Sequence, residues 1–234
     1  MRKLAVFVEG QTEQLFLQRL IIELAGRNNV NLKLQNRRGD AVLTLYGESQ
    51  CEHDDRQYFV LIYDCQGDSQ VKAKIVESSQ RLAEEDYSVV LGLMDLFPFA
   101  LEELPLLIEG LAKGIPDTGV PTRIHVAVSE VEAWFLQEAS HFSVLNPKMS
   151  PSFIKERVGF DPTVDCAEKI PHPAEFLRKI YNTVNLTYRK RREHVVQTVF
   201  ALDIENLCVG CNDLIPSFVA FNNDLNRFLT KSGS

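Results

Sequence analysis

Short apolar runs, each closed by an acidic residue, organise the first half of the chain. Leu4–Val8 is too short for a helix and stops at Glu9-Gly10, which predicts a buried strand. Thr12 then offers an N-cap, and Phe16, Leu17, Leu20, Ile21 and Leu24 recur at helical spacing as far as Gly26. Val30–Leu34 alternates apolar and polar residues, the period of a strand. Tyr58–Tyr63 predicts another strand, ending at Asp64, and Val71, Ile75 and Leu82 mark a helix behind it. Val89–Met94 is a further buried strand, ending at Asp95. A helix with Leu101, Leu104, Leu107 and Ile108 follows, with Pro105 near its first turn. Ile124–Val128 alternates again and leads through Ser129-Glu130 into a helix carrying Trp134, Phe135 and Leu136.

Strands alternating with helices predict an α/β fold with a mainly parallel sheet flanked by helices. Near residue 146 the character changes. Asn146-Pro147, Pro151, Pro162, Pro171 and Pro173 punctuate a loop-rich stretch, after which the apolar spacing is helical to the end. The expected division is therefore an α/β domain over residues 1–145 and a C-terminal helical extension over 146–234 packed on it.

The chain has 234 residues, 25 Lys+Arg against 32 Asp+Glu and a net charge of −7. With 45% hydrophobic and 24% charged residues it can bury a full core, which excludes disordered, collagenous and disulfide-stapled classes. The acidic balance excludes bulk adhesion to nucleic acid or anionic lipid, so any nucleic-acid contact needs a local basic patch or a bound metal. No apolar run reaches the length of a signal-peptide core or a membrane span, so no membrane association is expected. Five cysteines, an odd number, point to reduced thiols in a cytoplasm. Cys208-Val-Gly-Cys211 has zinc-knuckle spacing but no second ligand pair. Two core or helix-end thiols are the main reading and zinc the minor one.

The acids at the strand ends carry the candidate chemistry. In a parallel sheet the carboxyl ends of the strands share one edge, where ligands bind. Glu9, Asp64, Asp95 and Glu130 each close a predicted strand, with Asp68 and Glu132 close behind two of them. Clustered carboxylates repel and call for a cation. An all-oxygen set suits a hard ion, Mg²⁺ or Mn²⁺, which neutralises a phosphodiester and activates water. The opposing reading is that Glu9 and Asp64 are loop-entry residues and that Asp95 and Glu130 cap helices.

The string Val6-Phe-Val-Glu9-Gly10-Gln-Thr-Glu13 at the end of a first strand resembles the opening motif of TOPRIM-type domains, including OLD-family nucleases. With Met94-Asp95-Leu96-Phe97-Pro98, Glu130-Val-Glu132-Ala-Trp134-Phe135-Leu136 and Tyr188-Arg-Lys-Arg191, it is similar to an uncharacterised bacterial domain-of-unknown-function family of small TOPRIM-like proteins. The resemblance implies Glu9 as general acid or base and Asp64 as the first metal-holding aspartate. Only one residue separates the two TOPRIM aspartates, whereas three stand between Asp64 and Asp68; Glu9, Asp64, Asp68 and Asp95 are then the candidate metal-site residues, with Asp95 able to substitute for the displaced Asp68. Glu130 and Glu132 would be outer or second-metal ligands.

The activity so implied is Mg²⁺-dependent hydrolysis of nucleic acid, DNA favoured over RNA. The setting would be phage defence or repair beside a partner ATPase, because this chain has no phosphate-binding Gly-x-x-x-x-Gly-Lys-Ser/Thr loop. Arg37, Arg38, Lys179, Arg189, Lys190 and Arg191 are candidate phosphate-backbone contacts, with Tyr188 available to stack on a base. The plainer reading of that run is a solvated helix start balanced by Glu193. The main rival function is a non-catalytic TOPRIM-like module that binds a partner protein. A phosphoryl-receiver domain ranks last, since no lysine ends the strand at Val128-Ser129-Glu130.

Overall fold

The computed structural model describes residues 1–27, 29–36, 39–40, 56–67, 70–211 and 213–230. The chain forms two compact units, one of residues 1–94, 102–126 and 223–234, the other of residues 95–101 and 127–222.

In the first unit, β1 (Arg2–Val8), β2 (Val30–Asn36), β4 (Tyr58–Asp64), β5 (Val89–Asp95) and β6 (Thr122–Ala127) build a parallel sheet in the order β2-β4-β1-β5-β6. A two-residue strand, β3 (Gly39–Asp40), pairs antiparallel with β2 at the edge. The central strand β1 is fully buried from Leu4 to Val8, as an unbroken apolar run requires when helices cover both faces. The helices are α1 (Gln11–Ala25), α2 (Gln70–Glu84) and α3 (Leu104–Ala112). α1 packs on β2 and β4, and α2 on β1. Gly92 in β5 is a close-approach position. A Cβ there would lie 3.0 Å from the side chains of both Ile124 and Ile75, so these would have to give way by a few tenths of an ångström.

The N-terminus of α1 differs from the expectation. Thr12 is buried inside the first turn, and the Glu13 carboxylate accepts the N–H of Gly10 at 2.9 Å. Of the Glu-Gly-x-Thr-Glu string, Glu13 thus serves the helix start, supplying one half of a capping box.

The second unit holds α4 (Glu132–Gln137), α5 (Ser140–Leu145), α6 (Pro151–Val158), α7 (Pro173–Asn182), α8 (Arg192–Ala201) and α9 (Ile204–Val209). The last helix, α10 (Pro216–Thr230), belongs to both units, changing over after Asn222. The expected division at residue 146 falls inside the second unit. The composition shift at Asn146-Pro147 marks loops, whereas Trp134, before it, packs its ring on Phe218 and Phe221 of α10. Its indole N–H donates to Ser217 at 2.9 Å.

A carboxylate organises this core. Glu138 is fully buried and accepts from the N–H groups of Ser140, His141 and Asp203, the Ser140 hydroxyl and the Asn206 amide, at 2.6–3.2 Å. Five donors converging on one side chain offset the cost of burying its charge. Among the described residues no helix is long and apolar enough to cross a membrane.

Candidate functional site

β5 ends in Asp95, and the backbone continues the pairing beyond it: Leu96 donates to the Ala127 carbonyl at 2.9 Å and Phe97 to that of Ser129 at 3.2 Å. Ser129 has φ +65, in the left-handed region, although it carries a Cβ. That turn costs about 1 kcal/mol or more. It directs Glu130 and Glu132 back towards Asp95, and the Val131 N–H donates to Asp95 Oδ1 at 3.0 Å.

Asp95, Glu130 and Glu132 each place a carboxylate oxygen within 4.8 Å of the other two. Among the described residues they are the one group of three His, Cys, Asp or Glu side chains so placed, and they can hold a metal ion. Asp95 and Glu132 are buried and Glu130 half-buried. Each is oriented by a donor from elsewhere in the unit. Glu130 Oε2 accepts the Ala174 N–H at 2.9 Å, in the first turn of α7, where helix N–H groups have no partner within the helix. Glu132 Oε1 accepts the Tyr188 hydroxyl at 2.8 Å.

Lys190 reaches into the same group. Its ammonium lies 3.0 Å from Glu130, 3.4 Å from Glu132 and 3.8 Å from Asp95. Burial alone would lower the Lys190 pKa, but Glu132, Asp95 and Glu130 outweigh it and hold the ammonium above its ordinary range. The three carboxylates form an all-oxygen donor set that could hold a metal ion, and Lys190 supplies the counter-charge among them.

The other candidates fall elsewhere. Asp64 closes β4 in register with Val8, and Glu9 follows β1, so both stand at the carboxyl edge of the first unit's sheet. Glu9 is buried. Asp64 Oδ1 accepts the Gln66 N–H at 2.8 Å. Burial raises its pKa, against the opposing effect of that hydrogen bond. Neither belongs to the three-carboxylate group. Asp68, Arg37 and Arg38 lie outside the described residues.

Two expectations for the basic run change. Tyr188 is fully buried and spends its hydroxyl on Glu132, so its ring is not available to a base. Lys190 is committed to the three carboxylates while its side chain stays 42% exposed. Arg189 and Arg191 are exposed, as is Lys179, whose ammonium lies 5.4 Å from the Phe176 ring centre. Cys208 and Cys211 are thiols whose pKa burial pushes up to about 11, and Cys211 donates to the Gln137 carbonyl at 3.5 Å. Their surroundings disfavour thiolate, the form that binds zinc.

Comparisons with protein-family models, with curated proteins and with solved structures return no match for this chain.

Proposed function

We propose that the chain is a TOPRIM-like, Mg²⁺- or Mn²⁺-dependent phosphodiesterase acting on nucleic acid, DNA before RNA, with Asp95, Glu130 and Glu132 as its metal ligands. The observation that carries this reading is the gathering of those three carboxylates within 4.8 Å where two strands end. A divalent ion bound there would neutralise charge on a phosphodiester and lower the pKa of a water. The protein's share is orientation. The Val131 N–H, the Ala174 N–H and the Tyr188 hydroxyl hold the three carboxylates in place before any ligand arrives. Lys190, fastened among them, would supply a positive charge beside a phosphate bound there. For Glu9 and Asp64, which stand at the carboxyl edge of the first unit's sheet and outside the three-carboxylate group, the resemblance implies proton handling and metal holding respectively. Phage defence or repair beside a partner ATPase is the setting it suggests, in a cytoplasm.

One observation favours the second reading, a non-catalytic TOPRIM-like module for a partner protein. Lys190 already supplies a counter-charge to all three carboxylates. Calorimetric titration with Mn²⁺ separates the two. The first reading expects binding below millimolar metal, weakened more than tenfold in the Glu130→Gln/Glu132→Gln double variant, together with metal-dependent cleavage of plasmid or single-stranded DNA. Cleavage that persists in the double variant and in Glu9→Gln refutes this assignment of residues. No metal binding at millimolar concentration selects the module.

A further inference from the structure

The amino-terminal edge of the first unit's sheet carries a cavity that the acidic chemistry leaves unused. Its volume is about 310 Å³, and it opens where β1, β5 and β6 begin, against the end of α10. Arg2, Arg123 and Arg227 line it, with Asp224 as the acidic lining residue. Arg123 donates to Asp224 Oδ2 at 2.6 Å and Arg227 to Oδ1 at 2.9 Å, so one carboxylate, which also lies 3.1 Å from His125 Nε2, fixes two guanidiniums in place. Arg2 lies over the Phe228 ring, 4.7 Å from its centre, and donates to the Phe228 carbonyl. The lining thus presents three guanidiniums and one carboxylate. The rest of the wall is largely apolar, with Phe228 its aromatic member.

We infer that this cavity binds a small phosphomonoester with an organic body, of nucleoside monophosphate size. A phosphomonoester carries between one and a half and two negative charges at neutral pH, which a lining rich in guanidiniums suits. Guanidinium forks match phosphate oxygens bidentately. The volume is at the lower end for small-molecule pockets, more room than a bare phosphate needs, and the apolar wall suits a base or sugar. The site belongs to the first unit and does not depend on a metal at Asp95, Glu130 and Glu132.

The experiment is calorimetric titration of the full chain with AMP, adenosine and inorganic phosphate, in EDTA so that the carboxylate group holds no metal. AMP should bind below millimolar concentration and at least tenfold more tightly than either fragment, with affinity falling as salt rises. Arg123→Gln and Arg227→Gln should each weaken AMP about tenfold, with melting measured alongside to show that the fold is kept. Adenosine binding as well as AMP, phosphate binding as well as AMP, or no AMP binding at millimolar concentration would each overturn the inference. The ligand comparison uses the unaltered chain, so it stands even where a variant fails to fold.

Discussion

Replacing Lys190 by methionine keeps most of the side-chain volume and removes the charge that the three carboxylates share. Two carboxylate charges within 4.8 Å of each other repel by at least about 3.5 kcal/mol at an effective dielectric of about 20. At the same dielectric, Lys190 attracts each of its partners, at 3.0, 3.4 and 3.8 Å, by about 4–6 kcal/mol. Its side chain is 42% exposed, so solvent screens much of this. Removing one member of a buried ionic cluster costs about 3–5 kcal/mol, and the exposure brings the expectation here to about 2–3 kcal/mol. For a chain of this size that lowers the melting temperature by about 5–10 °C. The measurement is thermal melting of parent and Lys190→Met in EDTA, repeated with excess Mg²⁺ or Mn²⁺. A divalent ion that replaces the lost ammonium should restore about 2.7 kcal/mol at a hundred times its Kd. Melting of Lys190→Met within a degree of the parent in EDTA would refute the electrostatic account. A full loss of stability that no divalent ion repairs leaves that account standing and refutes the metal site.

The helical unit offers two further tests. Glu138→Gln places an NH₂ group among five donors and should cost about 3 kcal/mol, read as a drop in the midpoint of urea unfolding; a change under 1 kcal/mol would mean the network is slack. His141, fully buried, has its pKa pulled below 6.5 by desolvation, against the raising effect of Glu138. The unfolded chain therefore binds the proton more readily. Stability should fall as pH drops below about 6.5, by up to about 1.4 kcal/mol per pH unit. His141→Gln should flatten that slope in pH-dependent melting, and an unchanged slope would place the titrating group elsewhere.

The parallel strands were legible because each is a buried apolar run with a polar stop. Leu4–Val8, Tyr58–Tyr63 and Val89–Met94 all appear as strands with their acidic residues at the carboxyl end. Trp134 belongs to the core. The role of Glu13 at the start of α1 was hidden. Glu9 and Glu13 belong to one motif string, and only the hydrogen bond to Gly10 distinguishes the helix cap. The burial of Tyr188 is not legible, because a tyrosine beside four basic residues looks exposed and nothing local reveals that its hydroxyl reaches Glu132.

The sequence by itself determined the α/β class, the strand ends and the identity of the acidic candidates, since these follow from spacing over a few residues. Tertiary structure decided which acids meet. Asp95, Glu130 and Glu132 converge because backbone pairing continues past β5 and β6 and Ser129 turns the chain back. It also brought Lys190 among them, from a distant segment anchored through Tyr188. Hydrophobic periodicity records which face of an element is buried, but it carries no information about which polar ends are brought together. That convergence depends on crossovers and on packing between segments far apart in the chain, and here it draws three carboxylates and one ammonium into a single group.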